Sequence, residues 1–179
     1  DGLTSNQKPF RPRGKTGLVR TDLAAIETDV CLSGHEFRGE DGYHLPPREE
    51  IESKIGPRTR AVVLCSPNNP TGTLTSVDDV EGWIRRAPEN IHFLVDEAYF
   101  EFVDSSDYRS LDQVALDRPN VVVARTFSKV YGMAGLRLGY AIAHPETARA
   151  LQAFAAGTNC NHLALVAGLA ALQDPEWVE

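Results

Sequence analysis

The runs Ala61-Val62-Val63-Leu64, Ile91-His92-Phe93-Leu94 and Val121-Val122-Val123-Ala124 constrain this chain more than any other feature. Each is short, apolar and rich in residues that suit a pleated sheet, and helix signals lie around and between them. That alternation predicts an α/β three-layer sandwich built on a mostly parallel sheet. Open sheets of this kind bind ligands beyond the carboxyl ends of their strands. Asn69, Asp96 and Lys129 each sit at or just past the end of one run, so the fold would carry three distant segments to one rim.

The remaining signals fill in the frame. Pro46-Pro47 opens a predicted helix that carries Ile51 and Ile55 on one face and stops at Gly56. Ser76 caps another, with Asp78 and Asp79 in the first turn and Val80, Trp83 and Ile84 inward. Strands are expected at 61–65, 91–95, 121–124 and 138–143, with a polar loop through Asp104-Ser105-Ser106-Asp107. Pro145 opens a helix bearing Leu151 and Phe154, and residues 162–172 form an alanine- and leucine-rich helix. Residues 1–20 hold glycines, prolines and basic residues with few large apolar ones, and 1–41 read as an irregular lead-in to a domain over 42–179.

Bulk properties narrow the function classes. With 179 residues, 42% of them hydrophobic, one substantial core is expected, and no apolar run is long enough to span a bilayer. The net charge is −7 and the 18 basic residues are scattered, which argues against a nucleic-acid surface. Cys31, Cys65 and Cys160 show neither disulfide nor metal-ligand spacing and read as small buried groups in a reducing, cytoplasmic setting. The five histidines lack metal spacing as well. Gly14-Lys15-Thr16 ends like a nucleotide-binding loop, but Pro9 stands where its first glycine is required. No leader-like segment opens the chain, and a start at Asp1 rather than Met suggests a fragment or a processed product.

Chemistry concentrates around Lys129. Thr126-Phe127-Ser128-Lys129, followed by Gly132, Gly135 and Arg137, offers hydroxyls, backbone N–H groups and a guanidinium, which are what a phosphate dianion requires. An amine able to capture an aldehyde sits among them. Taken singly, each residue has a plainer reading. Lys129 could be a surface lysine, Asp96 a cap after a strand, and Asn69-Pro70-Thr71-Gly72 a turn.

Taken together, Ser66-Pro67-Asn68-Asn69-Pro70-Thr71-Gly72, Val95-Asp96-Glu97-Ala98-Tyr99, Arg125-Thr126-Phe127-Ser128-Lys129 and Gly135-Leu136-Arg137-Leu138-Gly139-Tyr140 resemble the fold-type I, class I/II aminotransferases that use pyridoxal 5'-phosphate. The branch they look most like is that of the histidinol-phosphate aminotransferases, from about Gly42 onward. The resemblance implies that Lys129 forms the Schiff base with the cofactor and that Asp96 faces its pyridine nitrogen. It implies that Asn69 and Tyr99 bond the phenolic oxygen and that Thr126, Ser128 and Arg137 hold the phosphate. Gly132 and Gly135 would let the backbone bend so that Arg137 returns to the site. Tyr131, Tyr140 and Glu97 read as packing or supporting residues.

The expected activity is transfer of an amino group between an amino acid, or an amino-alcohol phosphate, and a 2-oxo acid. Such enzymes work as homodimers when full length. The family's other hallmarks have no counterpart in this chain: a glycine-containing phosphate loop, an aromatic residue stacked on the ring, and a C-terminal arginine for the substrate carboxylate. Arg20 and Arg38 are not placed for that last task by anything in the sequence. Two alternatives therefore stand beside transamination: a non-catalytic remnant that binds the cofactor, and a decarboxylase or lyase on the same scaffold.

Overall fold

A computed structural model describes residues 38–39, 42–43, 55–106, 108–154, 160–174 and 178. The helix expected after Pro46-Pro47, the loop end at Asp107 and Cys31 lie outside the described residues. Arg38–Gly39 (β1) and Gly42–Tyr43 (β2) form a small antiparallel ribbon.

The main sheet contains Ala61–Cys65 (β3), His92–Asp96 (β4), Val121–Thr126 (β5) and Gly139–Ala143 (β6), in that spatial order. β3, β4 and β5 are parallel, and β6 returns antiparallel to β5. The mostly parallel α/β sheet expected from the three apolar runs is therefore present. β4 lies one residue later than expected because the Ile91 N–H turns back to Pro88 O while the ladder runs on through Asp96.

Side chains alternate along each strand. Val62 and Leu64, Phe93 and Val95, and Val121 and Val123 all point to one face and are buried there. Val77–Arg86 (α1) covers that face with Val77, Val80, Trp83 and Ile84, and the Trp83 ring meets Phe93 edge-on at 5.1 Å. The Ser76 hydroxyl accepts from Asp79 N, Asp78 and Asp79 stand at the positive end of the helix, and Arg85 and Arg86 at the negative end. A short helix that the sequence did not announce, Asp112–Asp117 (α2), adds Val114 and Ala115 to the same core.

The opposite face carries Val63, Leu94, Asp96, Ala124 and Thr126, and it borders a cavity. Pro145–Gln152 (α3) and His162–Leu172 (α4) follow β6. α4 docks through Ala164 and Gly168 onto Phe127 and Leu138, where a Cβ on Gly168 would come within 2.4 Å of a Leu138 methyl. Leu151 on α3 and Phe154 just beyond it are exposed. Among the described residues no helix is long and apolar enough to cross a membrane.

Candidate functional site

Three strand ends build the site. At the end of β3 the chain enters Ser66-Pro67 and Asn69-Pro70, both cis, and Gly72 closes the turn at φ 68°. Ser66 N bonds Asp96 O at 3.1 Å, so this turn is tied to the end of β4. Tyr108 reinforces the tie by donating its hydroxyl to Ser66 O at 2.6 Å.

β4 ends at Asp96, whose Oδ1 accepts from Ala98 N at 3.0 Å. This bond closes a local turn at the strand end and caps no helix, because the helical turn Phe100–Phe102 that follows has Tyr99 as its cap residue and no side-chain cap bond. Tyr99 follows, and its hydroxyl accepts from Asn69 Nδ2 at 3.3 Å. β5 ends at Thr126, whose hydroxyl accepts from Ser128 N at 3.0 Å and fixes the turn that presents Lys129. The Lys129 ammonium lies 4.9 Å from the centre of the Tyr99 ring.

Arg137 adopts the left-handed region at φ 56°, and its Nη1 donates to Ala134 O at 2.8 Å. The expected bend is made by Gly132, at φ 66°, and by Arg137 itself. Gly135 is not in that region and its missing Cβ faces open space, so the role assigned to it is corrected. The glycine that the local geometry does demand is Gly139, because a Cβ there would sit 2.9 Å from Arg125 O.

Asp96, Thr126, Ser128, Lys129 and Arg137 line one cavity of about 450 Å³, floored by Val63, Leu94 and Ala124. Asn69 and Tyr99 line a neighbouring cavity of about 440 Å³ with Pro67, Leu74 and Phe102. Their mutual hydrogen bond and the Lys129–Tyr99 contact join the two spaces. All seven residues expected from the sequence therefore meet at one rim. Among the described residues Lys129 and Arg137 form no ion pair, whereas Arg85, Arg109 and Arg125 each do. Cationic donors, hydroxyls and a carboxylate that line one cavity could hold an anionic ring compound with a basic nitrogen.

Cys65 lies opposite Asp96 in the ladder. Burial pushes its thiol pKa up, a backbone hydrogen bond from Asn69 opposes this, and the Asp96 charge adds to the rise. Cys65 is thus a neutral half-buried group rather than a nucleophile. Cys160 is exposed, which corrects its reading as a buried residue, because it precedes the cap of α4 at the surface. No cluster of metal-ligating side chains occurs among the described residues.

Residues 39–179 match the family model described as aminotransferase class I and II. The chain belongs to that family. A histidinol-phosphate aminotransferase of Moorella thermoacetica is 46% identical over 160 residues, covering 83% of this chain and 42% of that protein. Among solved structures, histidinol-phosphate aminotransferase from Sinorhizobium meliloti in complex with pyridoxal-5'-phosphate is similar at TM-score 0.69 and 32% identity, over 78% of this chain and 37% of that one. L-threonine-O-3-phosphate decarboxylase from Porphyromonas gingivalis is similar at TM-score 0.64 and 28% identity, over 74% of this chain and 40% of that one. This class I and II member thus spans about two fifths of the length of the relatives it matches.

Two features of the site were not found from sequence. One is the pairing of Glu97 with Arg125, at 3.0 Å and almost fully buried. Both residues flank motif positions, Asp96 and Thr126, and strand alternation would have placed them together on the far face. The other is Glu101, whose Oε2 is buried without a hydrogen-bond partner among the described residues.

Proposed function

We propose that this protein is part of a pyridoxal 5'-phosphate-dependent aminotransferase whose donor is an amino acid or an amino-alcohol phosphate of the histidinol-phosphate kind, with a 2-oxo acid as acceptor. The observation that carries this reading is the shared cavity, which has Lys129 and the Thr126, Ser128 and Arg137 donors along its edge and Asp96 beside them. When bound, the cofactor supplies an aldehyde that captures amines and a ring that stores the electron pair of a broken α-bond.

The chain's own residues divide the remaining work. Thr126, Ser128 and Arg137 bind the phosphate, the guanidinium with two parallel donors. Asp96 would hold a proton on the pyridine nitrogen, since a carboxylate beside it favours the charged ring. Asn69 and Tyr99, already bonded to one another, orient the phenolic oxygen. Lys129 would hold the cofactor covalently, and its amine, when free, would carry a proton at the substrate α-carbon. A base so placed contributes about 10²–10⁴ in rate. Residues 42–179 then form part of the cofactor-binding large domain, with 1–41 leading into it. A full-length homodimer acting in the cytoplasm is the matching assembly.

The test is spectroscopic. With pyridoxal 5'-phosphate the chain develops a visible absorbance band, borohydride traps the cofactor on the peptide containing Lys129, and Lys129→Ala abolishes both. An amino donor that bleaches the band and releases a 2-oxo acid supports transamination. The decarboxylase among the similar structures favours a second reading on the same site, and release of carbon dioxide without conversion of the cofactor to its amine form selects it. A band that no donor bleaches identifies a non-catalytic binding remnant.

A further inference from the structure

We propose that the buried Glu97–Arg125 pair is a positioning device for the candidate site, clamping the ends of β4 and β5 so that Asp96 and Lys129 keep their places around the cavity they both line. The proposal rests on the cofactor reading above. Glu97 is 1% exposed, yet each of its oxygens is satisfied. Oε2 accepts from Arg125 Nε at 3.1 Å, from Arg125 Nη2 at 3.0 Å and from Ser110 Oγ at 2.8 Å. Oε1 accepts from Leu111 N at 2.9 Å and from Ser110 Oγ at 3.1 Å. Arg125 is held from another side by the Phe100 ring, 4.3 Å from its guanidinium carbon.

Its location gives the pair a task. The parallel register ends at Asp96 opposite Ala124, and the last ladder bond runs from Glu97 N to Ala124 O at 2.9 Å. Beyond that point the two chains diverge. One enters the turn of Phe100–Phe102 and the other the loop that presents Lys129. The cross-strand tie at this fork is the Glu97–Arg125 ion pair. Because side chains alternate, Glu97 lies behind Asp96 and Arg125 behind Thr126, on the far face of the same backbone. A shift of either charged residue therefore moves the neighbour that faces the cavity.

An ion pair removed from water is weak evidence for stability, since well-packed apolar residues often replace it without loss. Orientation is what a two-pronged arginine with a fully bonded carboxylate provides, and a lysine could not reproduce it.

The experiment compares the full chain with Glu97→Met/Arg125→Met, which removes both charges, and with Arg125→Lys, which keeps the charge but loses the fork. Three quantities are read: thermal midpoint without cofactor, dissociation constant for pyridoxal 5'-phosphate, and the pH midpoint of the visible band. The expected double variant still unfolds cooperatively, at a midpoint lowered because Leu111 N and Ser110 Oγ lose their acceptor, binds the cofactor about tenfold or more weakly, and shifts the pH midpoint by about half a unit or more. Arg125→Lys should fold and shift affinity and pH midpoint in the same directions. Parental affinity and pH midpoint in Arg125→Lys, or in a folded double variant, overturn the proposal and leave the pair a purely structural element. A parental chain lacking any Lys129-dependent band fails in a distinguishable way, because there the cofactor reading itself falls and takes the clamp with it.

Discussion

Arg137 places its backbone in the left-handed region, which costs a non-glycine residue about 1–2 kcal/mol. A residue that keeps this strain while exposing a guanidinium without an ion-pair partner among the described residues is retained for what it binds, on the reading proposed above. Arg137→Gly separates the two effects. The thermal midpoint should hold or rise as strain is relieved, while pyridoxal 5'-phosphate affinity falls by about tenfold or more. A fall in midpoint with affinity unchanged would count against a phosphate role. Glu101 gives a second residue-scale prediction. Burial raises its pKa above the ordinary 4.5; a backbone hydrogen bond and the Arg125 charge oppose this, and Glu97 adds to the rise. The folded chain thus binds this proton more tightly than the unfolded chain does. Its stabilising effect is complete below pH 4.5 and is lost as pH rises from there through the folded value. Glu101→Gln should flatten that decline in melting curves taken from pH 4.5 upward. The shared placement of Lys129, Asp96 and Arg137 around one cavity was foreshadowed in the sequence, because each sits in an ordered motif after an apolar run. The Glu97–Arg125 tie was not, since a charge beside a motif does not name its partner until two strands are set in register.

At the scale of elements, legibility followed the strength of local signals. α1 was readable because a serine cap, an acidic first turn and an apolar face coincide, and α4 because alanines and leucines dominate residues 162–172. α2 was missed for a physical reason. It is a short helix whose preceding residue, Leu111, offers no side-chain cap, and its place is fixed by Val114 and Ala115 packing on the sheet rather than by propensity. β6 was expected, but its antiparallel direction follows from the tight return through Gly132 and Arg137, which sequence patterning does not encode. Gly139 permits that return by letting β6 approach Arg125 O. Gly139→Ala should therefore destabilise by about 1–3 kcal/mol, the usual range for overpacking against an unyielding neighbour. Urea unfolding measures it. A variant as stable as the parent would show that β6 can slide away from β5 at little cost.

For the whole molecule, the alternation of apolar runs with helix signals was enough to indicate a mostly parallel α/β sheet. The distribution of apolar surface was not readable in the same way, because composition says nothing about which side of a helix is covered. α4 is apolar around its whole circumference, a pattern that ordinarily marks burial on every side. It docks through Ala164 and Gly168, while Leu163 is 78% exposed, Leu169 61% and Val166 56%. Phe154 beyond α3 is 80% exposed. Apolar surface of this kind drives association when it is contiguous. The chain at high concentration should therefore sediment as species larger than a monomer, and the distribution should shift with concentration. Leu163→Lys/Leu169→Lys should move it toward monomer and leave the thermal midpoint within about 2–4 °C of the parent, since exposed substitutions cost less than about 0.5 kcal/mol each. The docking face of small residues is untouched by that change. A sharp drop in midpoint would show instead that these leucines are packed within the folded chain, and unchanged sedimentation would show that association uses another surface.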